Sequence, residues 1–140
     1  MLLLALAGSA VADCIEKAAA TFGTHPDVLR AIAIVESKVP LHAVNVNLNG
    51  SVDRGLFQIN SIHLPELAQA GTGPEDLHDV CLSSNVAALL LKRKMKVFGD
   101  TWAAVGAYHS TIPEKGERYV RKVRPVFEGM RRLRITTQVK

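Results

Sequence analysis

Glu36 stands at the end of a run in which every residue from Val28 to Val35 except Arg30 is apolar. On a helix it lies three, four and seven residues after Ala33, Ile32 and Leu29, so its carboxyl shares a face with three apolar side chains. Lost hydration there disfavours the ionised form and raises the pKa. A carboxylic acid that keeps its proton near neutral pH can hand it to a leaving oxygen, as a general acid does when a glycosidic bond breaks. The competing reading is a helix-end glutamate whose side chain simply reaches water. A hydrolase would need a second acid, and Asp53 is the one candidate. An ion pair with Arg54, or an Asx contact that stabilises a turn, is the stronger expectation for Asp53. The histidines at 25, 42, 63, 78 and 109 show no i, i+4 metal pairing and no paired nucleophile. His78 and Cys81 lack a second ligand pair, so neither metal nor cofactor is expected.

The elements that must hold Glu36 can be read in outline. A helix is expected from about His25 to Lys38, with Thr24 as N-cap, Asp27 at N3 and Pro40 helping to stop it. "NVNLNGSVDRG", residues 45–55, is rich in turn formers and predicts a loop or short irregular hairpin leading into "GLFQIN". "SIHLPELAQA" reads as a short helix, and "LSSNVAALLLKRKMKVF", residues 82–98, as a strong one closed by Gly99. "TWAAVGAYHS" is a shorter helix capped by Asp100 or Thr101. A last helix starts between Glu114 and Glu117 and is expected to kink or end at Pro125, leaving the chain loose after Leu133. The fold class is mainly α, with a small β or loop excursion near residues 42–60. Leu56, Phe57 and Ile59 are expected in the core, with Tyr119 balanced between core and site.

The 140 residues suit one compact domain, and 48% apolar with 21% charged residues is ordinary for a soluble one. "MLLLALAGSAVA" is uncharged and ends in Ala10-Val11-Ala12, a small-x-small pattern that signal peptidase accepts. It is short and lacks a basic start, so a plain apolar N-terminus is the alternative. It is also too short to anchor the chain in a bilayer. A lipoprotein signal at Cys14 is disfavoured by Asp13. The organisation expected is a signal peptide over 1–12 cleaved after Ala12, one domain over 13–128 and a basic tail over 129–140. Export makes one bridge between Cys14 and Cys81 reasonable, against two separate buried thiols. Net charge is +4, and from Glu114 onward nine Lys or Arg face Glu114, Glu117 and Glu128. Such a face attracts polyanions or is simply solvated. No nucleic-acid motif accompanies it, and an exported nucleic-acid binder using "RRLRITTQVK" is disfavoured.

"ES" at 36–37, "GLFQIN" at 55–60, "AYHS" at 107–110 and Tyr119, in this order, resemble the bacterial lytic transglycosylase domain. The resemblance runs from about Cys14 to Val123. It is nearest to the small exported transglycosylases of conjugative type IV secretion, pilus and type III secretion systems, which also resemble this chain in "NVNLNGSVDRGLFQINS" and the cysteine pair. It implies a goose-type lysozyme-like single domain in the periplasm, with a peptidoglycan glycan strand as partner and a secretion, conjugation or pilus apparatus as setting. Glu36 would be the single acid/base, and Ser37 would hold the substrate or the carboxyl. Gln58 and Asn60, with the backbone around Ile59, would line the sugar groove. Tyr108 would point its hydroxyl at Glu36, and Tyr119 would close the site. The family usually reads "AYN" where this chain has Ala107-Tyr108-His109, and Ser110-Thr111 replace a glycine expected shortly after, so no role carries over to His109. A lysozyme-type muramidase and a non-catalytic wall-binding assembly component are the alternatives.

Overall fold

The computed structural model describes residues 2–37 and 43–138, and the side chains of residues 10–37 and 43–135. Lys38 and Pro40, where the first expected helix was to end and be stopped, and His42 lie outside the described residues.

The chain opens with α1 (Leu2–Phe22), which runs unbroken through the Ala12–Asp13 junction. This helix is not among the elements expected from the sequence. Ile15, Ala18 and Ala19, at i, i+3 and i+4, form its buried stripe. Its main neighbour is α4 (Val80–Phe98). A disulfide joins Cys14 on α1 to Cys81 on α4, 67 positions apart, with the Cα atoms 4.8 Å from each other.

The helix that carries Glu36 is α2 (Pro26–Glu36). Its N-cap is His25 rather than Thr24: the His25 ring accepts from the Asp27 N–H at 3.1 Å, and Pro26 takes the first turn, where no N–H is needed. Asp27 is no capping-box partner. It is buried and accepts from the Arg30 guanidinium at 2.8 Å and from the Arg134 guanidinium at 2.8 Å. The two cations hold its carboxyl below the usual range despite the burial that pushes it up.

Next comes a three-stranded antiparallel sheet, β1 (Val44–Val46), β2 (Val52–Arg54) and β3 (Ile59–Asn60), ordered β1-β2-β3. Asn45 pairs with Asp53, which pairs with Asn60. A 3-10 turn (Ser61–His63) feeds α3 (Leu64–Gln69), and a second 3-10 turn (Pro74–His78) precedes α4. Gly99 closes α4, its N–H donating to the Met95 carbonyl at 2.8 Å. Thr101 is the N-cap of α5 (Trp102–His109).

The last helix, α6 (Pro113–Gln138), continues through Pro125. The helix does not stop there, and the loose chain expected after Leu133 is helical as far as Gln138. Pro125 and Arg121 are both exposed, so the carbonyl that loses its helical partner can be hydrated, and the bonds of Arg134 to Asp27 tie the far end of α6 to the start of α2. The core lies between these helices. Phe57, Leu29, Ile32, Leu77 and Val123 are wholly buried, each worth roughly 1.5–3 kcal/mol relative to exposure.

Candidate active site

The final turn of α2 brings Glu36 to the wall of a cleft of ≈820 Å³ between the sheet and α5–α6. Its carboxyl meets a hydroxyl: Tyr119 Oη donates to Glu36 Oε1 at 2.8 Å. Tyr119 is 4% exposed, so this bond forms away from water and leaves the other carboxyl oxygen to carry a proton. Burial pushes the Glu36 pKa up and the charge of Asp53 adds to it, while the Tyr119 bond and Lys122 pull it down. The net direction is upward. Burial and the Glu36 charge push the Tyr119 hydroxyl upward as well, so it remains a proton donor.

Tyr108 lines the same cleft, but its hydroxyl donates to the Phe57 carbonyl at 3.4 Å. The hydroxyl bonded to Glu36 therefore comes from the last helix and not from "AYHS". The cause is a close helix contact. A Cβ on Gly106 would lie 3.0 Å from the Gly116 carbonyl oxygen, so α6 approaches α5 to backbone distance and delivers Tyr119 to the carboxyl. His109 stacks on Tyr119, ring centres 4.6 Å apart and planes 8° from parallel, and holds it from the solvent side. Burial against that ring, and then Lys122, lower the His109 pKa.

The opposite wall is built locally. Gly55 sits at φ +77°, and a Cβ there would lie 2.2 Å from the Leu77 carbonyl oxygen. That turn sends Leu56, Phe57 and Ile59 into the core, as expected of them, while Gln58 adopts φ +49° on the cleft side. Gln58 is braced on both ends: Nε2 donates to the Gly55 carbonyl at 2.9 Å, and Oε1 accepts from Asn45 Nδ2 at 2.6 Å. Ile59 borders the cleft although its side chain is 2% exposed. Asn60 Nδ2 donates to Asp53 Oδ1 at 2.8 Å, and its Oδ1 caps the following turn at Ile62 N–H. Asn47 Nδ2 donates to Asp53 Oδ2 at 3.0 Å. Asp53 is thus gripped by two amides, and among the described residues it makes neither the expected ion pair with Arg54 nor a turn contact of its own. The amides of Asn47 and Asn60 as its holders were missed in the sequence, where they read only as turn formers. Ser37 does not join the cleft. It is exposed, caps α2, and turns its hydroxyl back to the Ile34 carbonyl at 3.4 Å.

A half-buried acid with a raised pKa, fixed by a buried phenol and facing a wall of amides and hydroxyls, is equipped to protonate a leaving oxygen of a polyhydroxylated substrate. Residues 13–124 match the transglycosylase SLT domain, and the chain belongs to that family. The chain is 38% identical over 128 residues to invasion protein IagB of Salmonella typhimurium, covering 90% of this chain and 80% of that protein. It is 40% identical over 131 residues to protein IpgF of Shigella flexneri, covering 92% and 85%. With the X polypeptide of Escherichia coli it shares 35% over 127 residues, covering 85% and 75%. The protein is a lytic transglycosylase with a lysozyme-like, mainly helical fold, and peptidoglycan is its substrate. That substrate places its work in the cell envelope, and no helix of the described residues is long and apolar enough to cross a membrane.

Proposed function

We propose that the chain cleaves the β-1,4 bond between N-acetylmuramic acid and N-acetylglucosamine with Glu36 as sole acid and base. Glu36 gives its proton to the glycosidic oxygen, and the bond opens through an oxocarbenium-like state. The resulting carboxylate then takes the proton of the muramoyl 6-hydroxyl while that oxygen attacks the anomeric carbon. The product is a 1,6-anhydromuramoyl end, and no water is consumed. Because the nucleophile is part of the bound substrate, no second carboxylate is required. The observation that carries this reading is the Tyr119–Glu36 bond at the cleft wall. Gln58, Asn60, Ile59 and Tyr108 border the strand, and Ser37 acts only by closing the helix that holds Glu36.

The match to the family begins at residue 13, which supports a mature chain starting at Asp13 in the periplasm, testable by N-terminal sequencing of exported protein. Similarity to an invasion protein supports local wall opening beside a secretion, conjugation or pilus apparatus.

Mass spectrometry of digested peptidoglycan tests the chemistry: anhydromuramoyl ends are expected. Reducing muramic acid ends would mean hydrolysis, with Asp53, in the same cleft, as the second carboxylate. Glu36→Gln, close in shape but without an acidic proton, should lower cleavage by ~10²–10⁴-fold with folding intact. Full lysis by this variant would move the chemistry elsewhere.

A further inference from the structure

A second cleft of ≈690 Å³ meets the first at Glu36 and His109 and runs along α6. Its character is opposite to that of the amide wall. Lys115, Arg118 and Lys122 recur at i, i+3 and i+7 on one face of α6, and Arg121 adds a fourth cation to the lining. All four are exposed, and among the described residues none lies within ion-pair distance of a carboxylate. Glu117 lies four residues before Arg121 and lines with it the neighbouring apolar groove beside Trp102 and Phe98, whereas neither Glu114 nor Glu117 lines the cationic cleft. Four like charges along one groove repel each other unless an anion enters.

On the reading proposed above, the substrate supplies such an anion at this place. The muramoyl ring, whose anomeric carbon must face Glu36, carries a short peptide with several free carboxylates on its lactyl ether. The glucosamine ring carries none. A ring seated at Glu36 with its sugar neighbours on the amide side therefore has one anionic substituent, attached within reach of the place where the two clefts join.

We propose that the cationic cleft of α6 binds the carboxylates of the peptidoglycan stem peptide, so that the chain prefers peptide-bearing over stripped glycan strands. Arg118 and Arg121 are the residues to test, because Lys122 also acts on the Glu36 charge and Lys115 borders both clefts.

Binding to Glu36→Gln protein separates this idea from the cleavage reading. Fluorescence anisotropy would compare labelled glycan fragments of equal length that carry stem peptides, carry stem peptides with amidated carboxylates, or have been stripped by an amidase. At low salt the peptide-bearing fragment should bind ~10-fold more tightly than the other two, and the gap should close as ionic strength rises. Adding Arg118→Gln and Arg121→Gln should reduce the gap to within ~2-fold. Equal binding of all three fragments overturns the proposal, as does a preference that survives both high salt and the double substitution. If wild-type protein yields no anhydro ends while the gap is present, the cleavage reading falls and peptide recognition stands.

Discussion

The two walls of the cleft are made in different ways. The sheet wall is assembled from residues within sixteen positions of one another: Asn45 braces Gln58, and Asn47 and Asn60 grip Asp53. The helical wall joins groups far apart in the chain, Glu36 to Tyr119 and Tyr108 to the carbonyl of Phe57. Short-range hydrogen bonds fix the first wall once Gly55 has turned the chain. The second depends on how closely α5 and α6 pack. Damage to the sheet wall should therefore appear first as lost stability, and damage to the helical wall first as lost activity.

The strongest perturbation should be Gly55→Ala. A left-handed backbone and a clash with the Leu77 carbonyl act together, so a loss of about 3 kcal/mol or more is expected in denaturant unfolding. Gly106→Ala meets the Gly116 backbone at a tighter than normal distance and should cost about 1–2 kcal/mol, with a larger proportional drop in turnover as Tyr119 moves off Glu36. If turnover per folded molecule were unchanged by Gly106→Ala, the helical wall would not be what positions the acid.

Tyr119→Phe sharpens the contrast. Losing one hydrogen bond to a carboxyl should lower kcat by ~10-fold, with stability nearly kept. That bond pulls the Glu36 pKa down, so its removal lets the pKa rise. On the mechanism proposed above Glu36 acts in its protonated form, so the alkaline limb of the pH–rate profile should move to higher pH. A limb displaced to lower pH would contradict the arrangement.

The smallest effect concerns stability against pH. Glu36 has a folded pKa above its unfolded one, so its contribution is present below the ordinary glutamate range and lost as pH rises through the folded value. Glu36→Gln removes that loss while keeping an acceptor for Tyr119. Thermal unfolding of the variant should decline less than wild type between acidic and neutral pH.

Local wall and distant wall also differ in how far the sequence disclosed them. The helix of Glu36, the motif "GLFQIN", the core placement of Phe57 and the strong helix before Gly99 were all readable, because periodicity and turn chemistry are local signals. Tyr119 was identified as a site residue, but the hydroxyl on Glu36 was assigned to Tyr108. Two tyrosines eleven positions apart on successive helices can be told apart only by the helix crossing, and that depends on Gly106 meeting Gly116. Asp27 looked like a cap because its partner Arg134 is 107 positions away. The same pair explains the tail: with Arg134 anchored on a buried carboxylate, α6 persists where Pro125 alone would have argued for an end.

The Tyr119–Glu36 bond also ties an early part of the chain to a late one. A polypeptide emerging from the ribosome N-terminus first exposes residue 36 long before residue 119. On the role proposed for Glu36, a chain without its last helix therefore lacks both the phenol that orients the acid and one side of the cleft.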